Sequence, residues 1–115
     1  MLHKYERLVA QLQSATVNKS LPWCRTSRAN EFEAAIGDNS VSIMYHPKGS
    51  GGQNAEEYVS LFLWNRFGEV VDELRVVNSN NDYNSLFSLF ENVRSSSVRA
   101  EGTLDELLID ISKIG

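Results

Sequence analysis

The chain of 115 residues lacks most features that mark secreted, membrane or disulfide-stabilised proteins. It has a single cysteine, Cys24, so no disulfide can form within the chain, and a reducing compartment is expected. No apolar run approaches the roughly 20 residues that a membrane helix needs. The first residues have no apolar segment typical of a signal peptide. We therefore expect a cytoplasmic protein without a membrane partner.

The residue spacings of dedicated metal, cofactor and catalytic sites are also missing. The two histidines, His3 and His46, form no His-x-x-x-His pattern, and neither Cys-x-x-Cys nor EF-hand spacing occurs. The glycine-rich stretch 48–54 has neither Walker nor Gly-x-Gly-x-x-Gly spacing, and it is predicted to be a flexible hairpin loop. No nucleophile and base stand at a readable spacing. The sequence thus predicts no metal, no cofactor and no enzymatic activity.

Positive charge is scarce as well. The chain has 11 basic and 15 acidic residues, for a net charge of −4. This balance argues against nucleic acid and anionic membranes as partners, because both attract basic surfaces. It is compatible with a basic protein partner. Length and a hydrophobic content of 42% fit one globular domain spanning residues 1–115.

Three kinds of ionisable group could still carry chemistry. A thiol at Cys24, beside an arginine, would be more acidic than a free one, but a cysteine on a strand is more often a small core residue. Asp72 is predicted on the strand face of Val70 and Leu74, where an unpaired buried carboxylate would be costly. The favoured alternative is that a bulge after Gly68 turns Asp72 outward or that Asp72 caps a neighbouring backbone group. Acidic pairs such as 56–57 are predicted to be solvated surface.

The strongest pattern in the chain is the strand signal around residue 60. Val59, Leu61 and Leu63 alternate with other large residues, and this period of two predicts a strand that is apolar on both faces and therefore central. Gly68 can take the positive φ that closes a hairpin turn. The return strand carries three apolar residues: Val70, Val71 and Leu74.

Weaker signals predict the remaining elements. Three more strands are predicted at 23–27, 32–36 and 41–45. Helical spacing predicts a first helix from about Leu2 to Ala15 and a second from Tyr83 to about Arg99, the latter with Leu86, Phe87, Phe90 and Val93 inward. A capping box at 103–106 predicts a third helix.

These elements predict an α+β fold of two layers. A five-stranded antiparallel β-meander is preceded by one helix and followed by two helices packed on one face. The side of the sheet that the first helix covers is left open.

A family resemblance rests on four features. In chain order they are Trp23, Phe32-x-Ala34-x-Ile36, Asn65-x-x-Gly68 before Val71-Asp72, and the aromatic-led helix at Tyr83. Together they resemble a group of small uncharacterised bacterial proteins with a helix, a β-meander and C-terminal helices. The resemblance implies this fold and a bacterial origin, and it implies no active site.

Three aromatic residues on the central strand give the functional hypothesis. Tyr58, Phe62 and Trp64 alternate with the residues predicted to face the helices, so they are predicted to point away from them. A row of aromatics on an open sheet face usually marks a partner surface, unless the first helix or long charged side chains cover it. The leading hypothesis is a non-catalytic protein-interaction module, self-associating as a homodimer or neutralising a basic partner.

Two alternatives belong to other functional classes. A single-stranded nucleic-acid binder could stack bases on these aromatics, with Arg25, Arg28 and Arg66 near the backbone. A small enzyme or small-molecule binder could use Asp72 or Cys24 beside a pocket between sheet and helices.

Overall fold

The computed structural model describes residues 3–49 and 56–97. Its elements are α1 (His3–Val17), β1 (Cys24–Arg25), β2 (Glu31–Ile36), β3 (Asn39–His46), β4 (Tyr58–Trp64), β5 (Val70–Val77) and a helix α2, described over residues 83–97. The strands form one sheet in the order β1-β2-β3-β4-β5, and all neighbours are antiparallel. The predicted α+β class and five-stranded meander are confirmed. The helix predicted from the capping box lies outside the described residues.

The strand boundaries differ from the prediction most at β1 and β5. β1 is limited to Cys24–Arg25, because Thr26 leaves the ladder and its hydroxyl donates to the Glu31 carboxylate at 2.6 Å. β5 was predicted to leave the sheet after Leu74, and this is wrong. Val76 lies opposite Val59 and is buried, so the apolar contact extends β5 to Val77.

The turn between β4 and β5 sets the register of the last strand. Gly68 has a φ of 79°, as predicted, and the Asn65 side chain accepts the backbone N–H groups of Phe67 and Glu69. Leu63 pairs with Asp72, whereas Trp64 pairs with Val70. Val71 is therefore the extra residue of a bulge in β5. The bulge lies before Asp72, so Asp72 keeps the period of two and stays on the helix side with Leu74, as its strand face predicted. The outward turn is wrong, but Asp72 does cap a neighbouring backbone group, the N–H of Glu73.

Both described helices pack on one face of the sheet. A single core cluster joins residues of α1 and α2 to residues on that face of β2, β3, β4 and β5. Its fully buried centre consists of Ile43, Val59, Leu61, Leu86, Leu89 and Val93. The open question of the first helix is thereby answered: α1 lies on the same side as α2.

The helix α1 is held at opposite edges of the sheet. Near its C-terminal end, the Thr16 hydroxyl accepts the indole N–H of Trp23, beside β1, at 2.9 Å. Near its N-terminal end, Lys4 Nζ lies 3.9 Å from the carboxylate of Asp72 on β5. The helix therefore crosses the strands, and the buried side chains Val9 and Leu12 lie between these two contacts.

The inner face of α2 contains Leu89 in addition to the predicted residues, and Phe87 belongs to it only in part. Leu86, Phe90 and Val93 are buried as predicted, and Leu89 is buried beside them. Phe87 is only partly buried, because it lies at the border of the cluster, against Tyr45 and Tyr83.

Replacement of Phe90 by alanine tests this packing. The Phe90 ring lies 5.8 Å from the ring of Phe32 and 5.6 Å from that of Tyr45, measured between centroids, and the residue is buried. Phe90→Ala is expected to lower the free energy of unfolding by about 3–5 kcal/mol in denaturant titrations, because it leaves a cavity. The exposed Ser95→Ala on the same helix should change it by less than about 0.5 kcal/mol. An unchanged melting temperature for Phe90→Ala would mean that the inner face of α2 is misassigned.

Candidate functional site

The three predicted site residues lie on the face of β4 that is opposite the helices. Val59 and Leu61 are buried beneath α1 and α2, and the period of two turns Tyr58, Phe62 and Trp64 the other way. Within residues 3–49 and 56–97, neither helix lies on this side. We call this surface the aromatic face: Tyr58, Phe62 and Trp64 with their neighbours Ser42, His46, Ser60, Glu73 and Arg75, which the strand register places on the same side.

Side chains from both neighbouring strands hold Tyr58. The His46 ring from β3 stacks on it, with 4.0 Å between centroids and 17° between planes. From β5, the guanidinium of Arg75 lies 4.5 Å from the Tyr58 centroid, in cation–π contact. Burial and the charge of Arg75 lower the pKa of His46. The stacking leaves His46 half-buried at the end of β3.

The other two aromatics are in contact with each other, and one has a fixed orientation. The indole N–H of Trp64 donates to the Ser42 hydroxyl at 2.9 Å, and the Phe62 and Trp64 centroids are 6.4 Å apart. Ser42 and Ser60 on this face are almost fully buried, whereas the three aromatics are half-buried. The aromatic face is therefore a preformed layer of rings.

Two of the three arginines expected beside the aromatics, Arg25 and Arg66, lie elsewhere. Arg25 is opposite Phe32, on the helix side, with its guanidinium 6.0 Å from that ring. Arg66 lies over Phe67 in the β4–β5 turn. Arg28 lies 4.0 Å from the Glu31 carboxylate, and its charge contributes to the lowered pKa of His46. Arg75, which the sequence did not single out, is the arginine that contacts Tyr58.

A second polar cluster joins the end of the sheet to the start of α2. Tyr45 donates its hydroxyl to the Glu57 carboxylate at 2.5 Å, and the Asn78 side-chain amide donates to the same group at 3.1 Å. These hydrogen bonds lower the pKa of Glu57. The same carboxylate raises the pKa of Tyr45, and burial together with Glu57 raises that of Tyr83. The cluster connects β3, β4, the end of β5 and α2.

Sequence reasoning missed this cluster. Glu57 was assigned to solvated surface, and its partners Tyr45 and Asn78 are 12 and 21 residues away along the chain. No local spacing marks such a contact, because the antiparallel ladder creates it. The polar groups of the Glu57 cluster form hydrogen bonds with one another. This arrangement fits a structural role for Glu57 better than a role as a reactive carboxylate.

The two residues considered for catalysis are at separate places. Asp72 is partly exposed and accepts the backbone N–H of Glu73 at 2.9 Å. The Tyr5 hydroxyl nearby lowers the pKa of Asp72, while Asp72 and burial raise the pKa of Tyr5 to about 12. Cys24 was expected in the core but is exposed on β1, because its register opposite Glu33 turns it away from the helices.

An open groove runs between the two helices. Its volume is about 580 Å³, and most of its lining residues are polar. The lining residues are Glu6, Val9, Ala10, Gln13, Asp82, Asn84, Ser85 and Ser88. The side chain of Gln13 bridges the groove by donating to the Ser88 hydroxyl at 3.1 Å. No group of three histidine, cysteine or acidic side chains suited to a metal ion occurs within the described parts of the chain.

Comparison of the chain with protein-family models, curated proteins and solved structures gives no match. The resemblance to small uncharacterised bacterial proteins therefore stays a prediction. Among the described residues, neither α1 nor α2 is long and apolar enough to cross a membrane.

The Glu57 cluster predicts a pH dependence of stability. Because folding lowers the pKa of Glu57 from its ordinary value of 4.5, its contribution is present above pH 4.5 and is lost as the pH falls through the folded value. Glu57→Gln should therefore lower the free energy of unfolding at pH 7, and the difference from the wild type should shrink as the pH falls below 4.5.

Tyr45→Phe is the matched variant, because it keeps the ring packing and removes the hydroxyl that donates to Glu57. It should weaken the same pH dependence. Denaturant titrations at several pH values measure both effects. A difference between Glu57→Gln and wild type that is constant across the acid range would contradict the assignment.

Proposed function

We propose that this protein is a non-catalytic interaction module that binds another protein through its aromatic face. The observation that supports the proposal is the position of Tyr58, Phe62 and Trp64 on the side of the sheet opposite α1 and α2. Three neighbouring aromatics on a sheet face with no described helix over them are typical of partner surfaces. A cytoplasmic location and a bacterial origin belong to the same proposal and rest on sequence features.

The composition of the aromatic face resembles that of a binding interface. Aromatic rings at its centre can bury large areas, and charged side chains such as Glu73 and Arg75 stand at its border. The stacking of Tyr58 and the hydrogen bond of Trp64 fix two rings before any partner arrives. Less side-chain freedom is then lost on binding, which favours affinity.

The nucleic-acid alternative is less favoured by the same contacts. His46 and Arg75 approach the Tyr58 ring from strands on opposite sides of β4, so this ring is already engaged where a base would stack. The net charge of −4 also opposes binding to phosphate backbones. An enzymatic role is less favoured because the perturbed carboxylates, Glu57 and Asp72, are bonded to groups within the chain.

Charge substitutions on the aromatic face test the proposal. Phe62→Lys and Trp64→Lys should remain folded by circular dichroism and should weaken partner binding at least about tenfold, because central aromatics dominate interface energies. Val17→Lys is the matched control, since Val17 is 62% exposed at the end of α1 and lies away from the aromatic face.

The measurement is quantitative affinity capture from extracts of the source cells with all four proteins. The proposal predicts a protein that wild type and Val17→Lys retain and that both aromatic-face variants lose. Identical capture by all four proteins would contradict it. Unfolding of both Phe62→Lys and Trp64→Lys would show that the rings belong to a core, and salt-dependent binding of a mixed oligonucleotide pool would favour the nucleic-acid alternative.

A further inference from the structure

We propose that two copies of this chain pair through the outer edge of β5 and form one continuous antiparallel sheet. Within the described residues, β5 is the last strand of the sheet and pairs with β4 on one side. The other side of an edge strand presents backbone N–H and C=O groups that can pair with a second strand. The edge shares Glu73 and Arg75 with the aromatic face. Pairing would use the backbone of β5 and not the aromatic rings, so the inference does not depend on the proposed function.

The charges of β5 select one register for such a pair. Glu73 and Arg75 lie on the same face of the strand and flank Leu74, with 3.5 Å between their charged atoms within one copy. A two-fold axis at Leu74 places Glu73 of each copy opposite Arg75 of the other. An axis at Glu73 or at Arg75 would place like charges opposite each other, which is unfavourable. The charge pattern therefore matches the Leu74-centred register.

Exposed apolar side chains lie at the same edge. Phe67, Val70 and Val71 are 71%, 47% and 60% exposed, and all three belong to the β4–β5 turn or the start of β5. Val71 comes directly before the regular part of the Leu74-centred pair, next to the end of β5 of the second copy. Pairing would therefore remove apolar surface from water in addition to joining the backbones.

The bulge at Val71 limits the regular ladder to Asp72–Val76. Bulges and charged side chains also occur on edge strands that avoid pairing. In β5, however, Glu73 and Arg75 have opposite charges and lie on either side of Leu74. A two-fold axis at Leu74 therefore places each charge opposite one of the other sign. The edge is thus self-complementary over its regular part.

The geometry of the pair has a consequence for the aromatic face. An antiparallel pair in one continuous sheet has its two-fold axis perpendicular to the sheet. Both aromatic faces then lie on one side and the helices of both copies on the other. The dimer would present a doubled aromatic surface to a partner.

Sedimentation equilibrium with charge variants tests the contact. Wild type should dimerise with rising concentration, and Arg75→Glu should weaken dimerisation at least about tenfold, because two attractive pairs become repulsive. The double variant Glu73→Arg/Arg75→Glu reverses both charges and should restore dimerisation. Trp64→Lys, on the aromatic face, should leave it unchanged. Thermal unfolding of each variant checks that the fold is intact.

Cysteine cross-linking tests the register. In a Cys24→Ser background, Leu74→Cys should form a disulfide-linked dimer on mild oxidation, because the axis brings the two positions opposite each other. Glu73→Cys alone should not form this disulfide, because the two copies of position 73 lie diagonally across the pair. A mixture of Glu73→Cys and Arg75→Cys should cross-link, because positions 73 and 75 lie opposite each other.

Three results would overturn the inference. They are a wild type that stays monomeric at high micromolar concentration, a dimer that Arg75→Glu leaves intact, and a dimer that Trp64→Lys dissociates while Arg75→Glu does not. The last result would assign self-association to the aromatic face.

Discussion

The central strand β4 is apolar on both faces, and the rest of the structure follows from how those faces are used. Val59 and Leu61 are fully buried beneath both described helices, and they contribute the middle of the core. Each such side chain is worth about 1.5–3 kcal/mol when removed from water. Because successive side chains alternate, this burial turns Tyr58, Phe62 and Trp64 to the other side. The aromatic face is a direct consequence of the core.

Polar contacts then fix the helix layer on the sheet. The Trp23 indole N–H bonds to the Thr16 hydroxyl at one edge, and the Glu57 carboxylate joins Tyr45 to the region where α2 begins. Hydrogen bonds of this kind are modest in net energy but directional. They hold α1 and α2 in one orientation, whereas apolar burial alone would tolerate several. With the helices held on one side, the opposite face is left to the aromatic side chains.

The two proposed contacts use different parts of the same sheet. The aromatic face offers ring surface, which favours a protein with complementary apolar groups. The edge of β5 offers backbone groups and an alternating pair of charges, which favour a second copy of the strand. Arg75 belongs to both, because it lies against Tyr58 and stands beside Leu74 on the edge strand. A substitution at Arg75 would therefore change both the charge of the β5 edge and the contact with the Tyr58 ring.

Local sequence determined the elements whose signals are short-range. The alternation in β4, the turn at Gly68, the helical spacing of α1 and α2 and the side chosen by Tyr58, Phe62 and Trp64 could all be predicted, because each depends on neighbouring residues and backbone sterics.

Tertiary structure decided the features that depend on residues far apart in the chain. Four features follow from strand register: the bulge at Val71, the extension of β5 through Val76, the exposure of Cys24 and the cluster around Glu57. Register is set by the combined packing of all five strands, so no short window of sequence contains it. The side of the sheet covered by α1 was undecidable for the same reason, because its apolar stripe fits either face until Trp23 and Asp72 are in place.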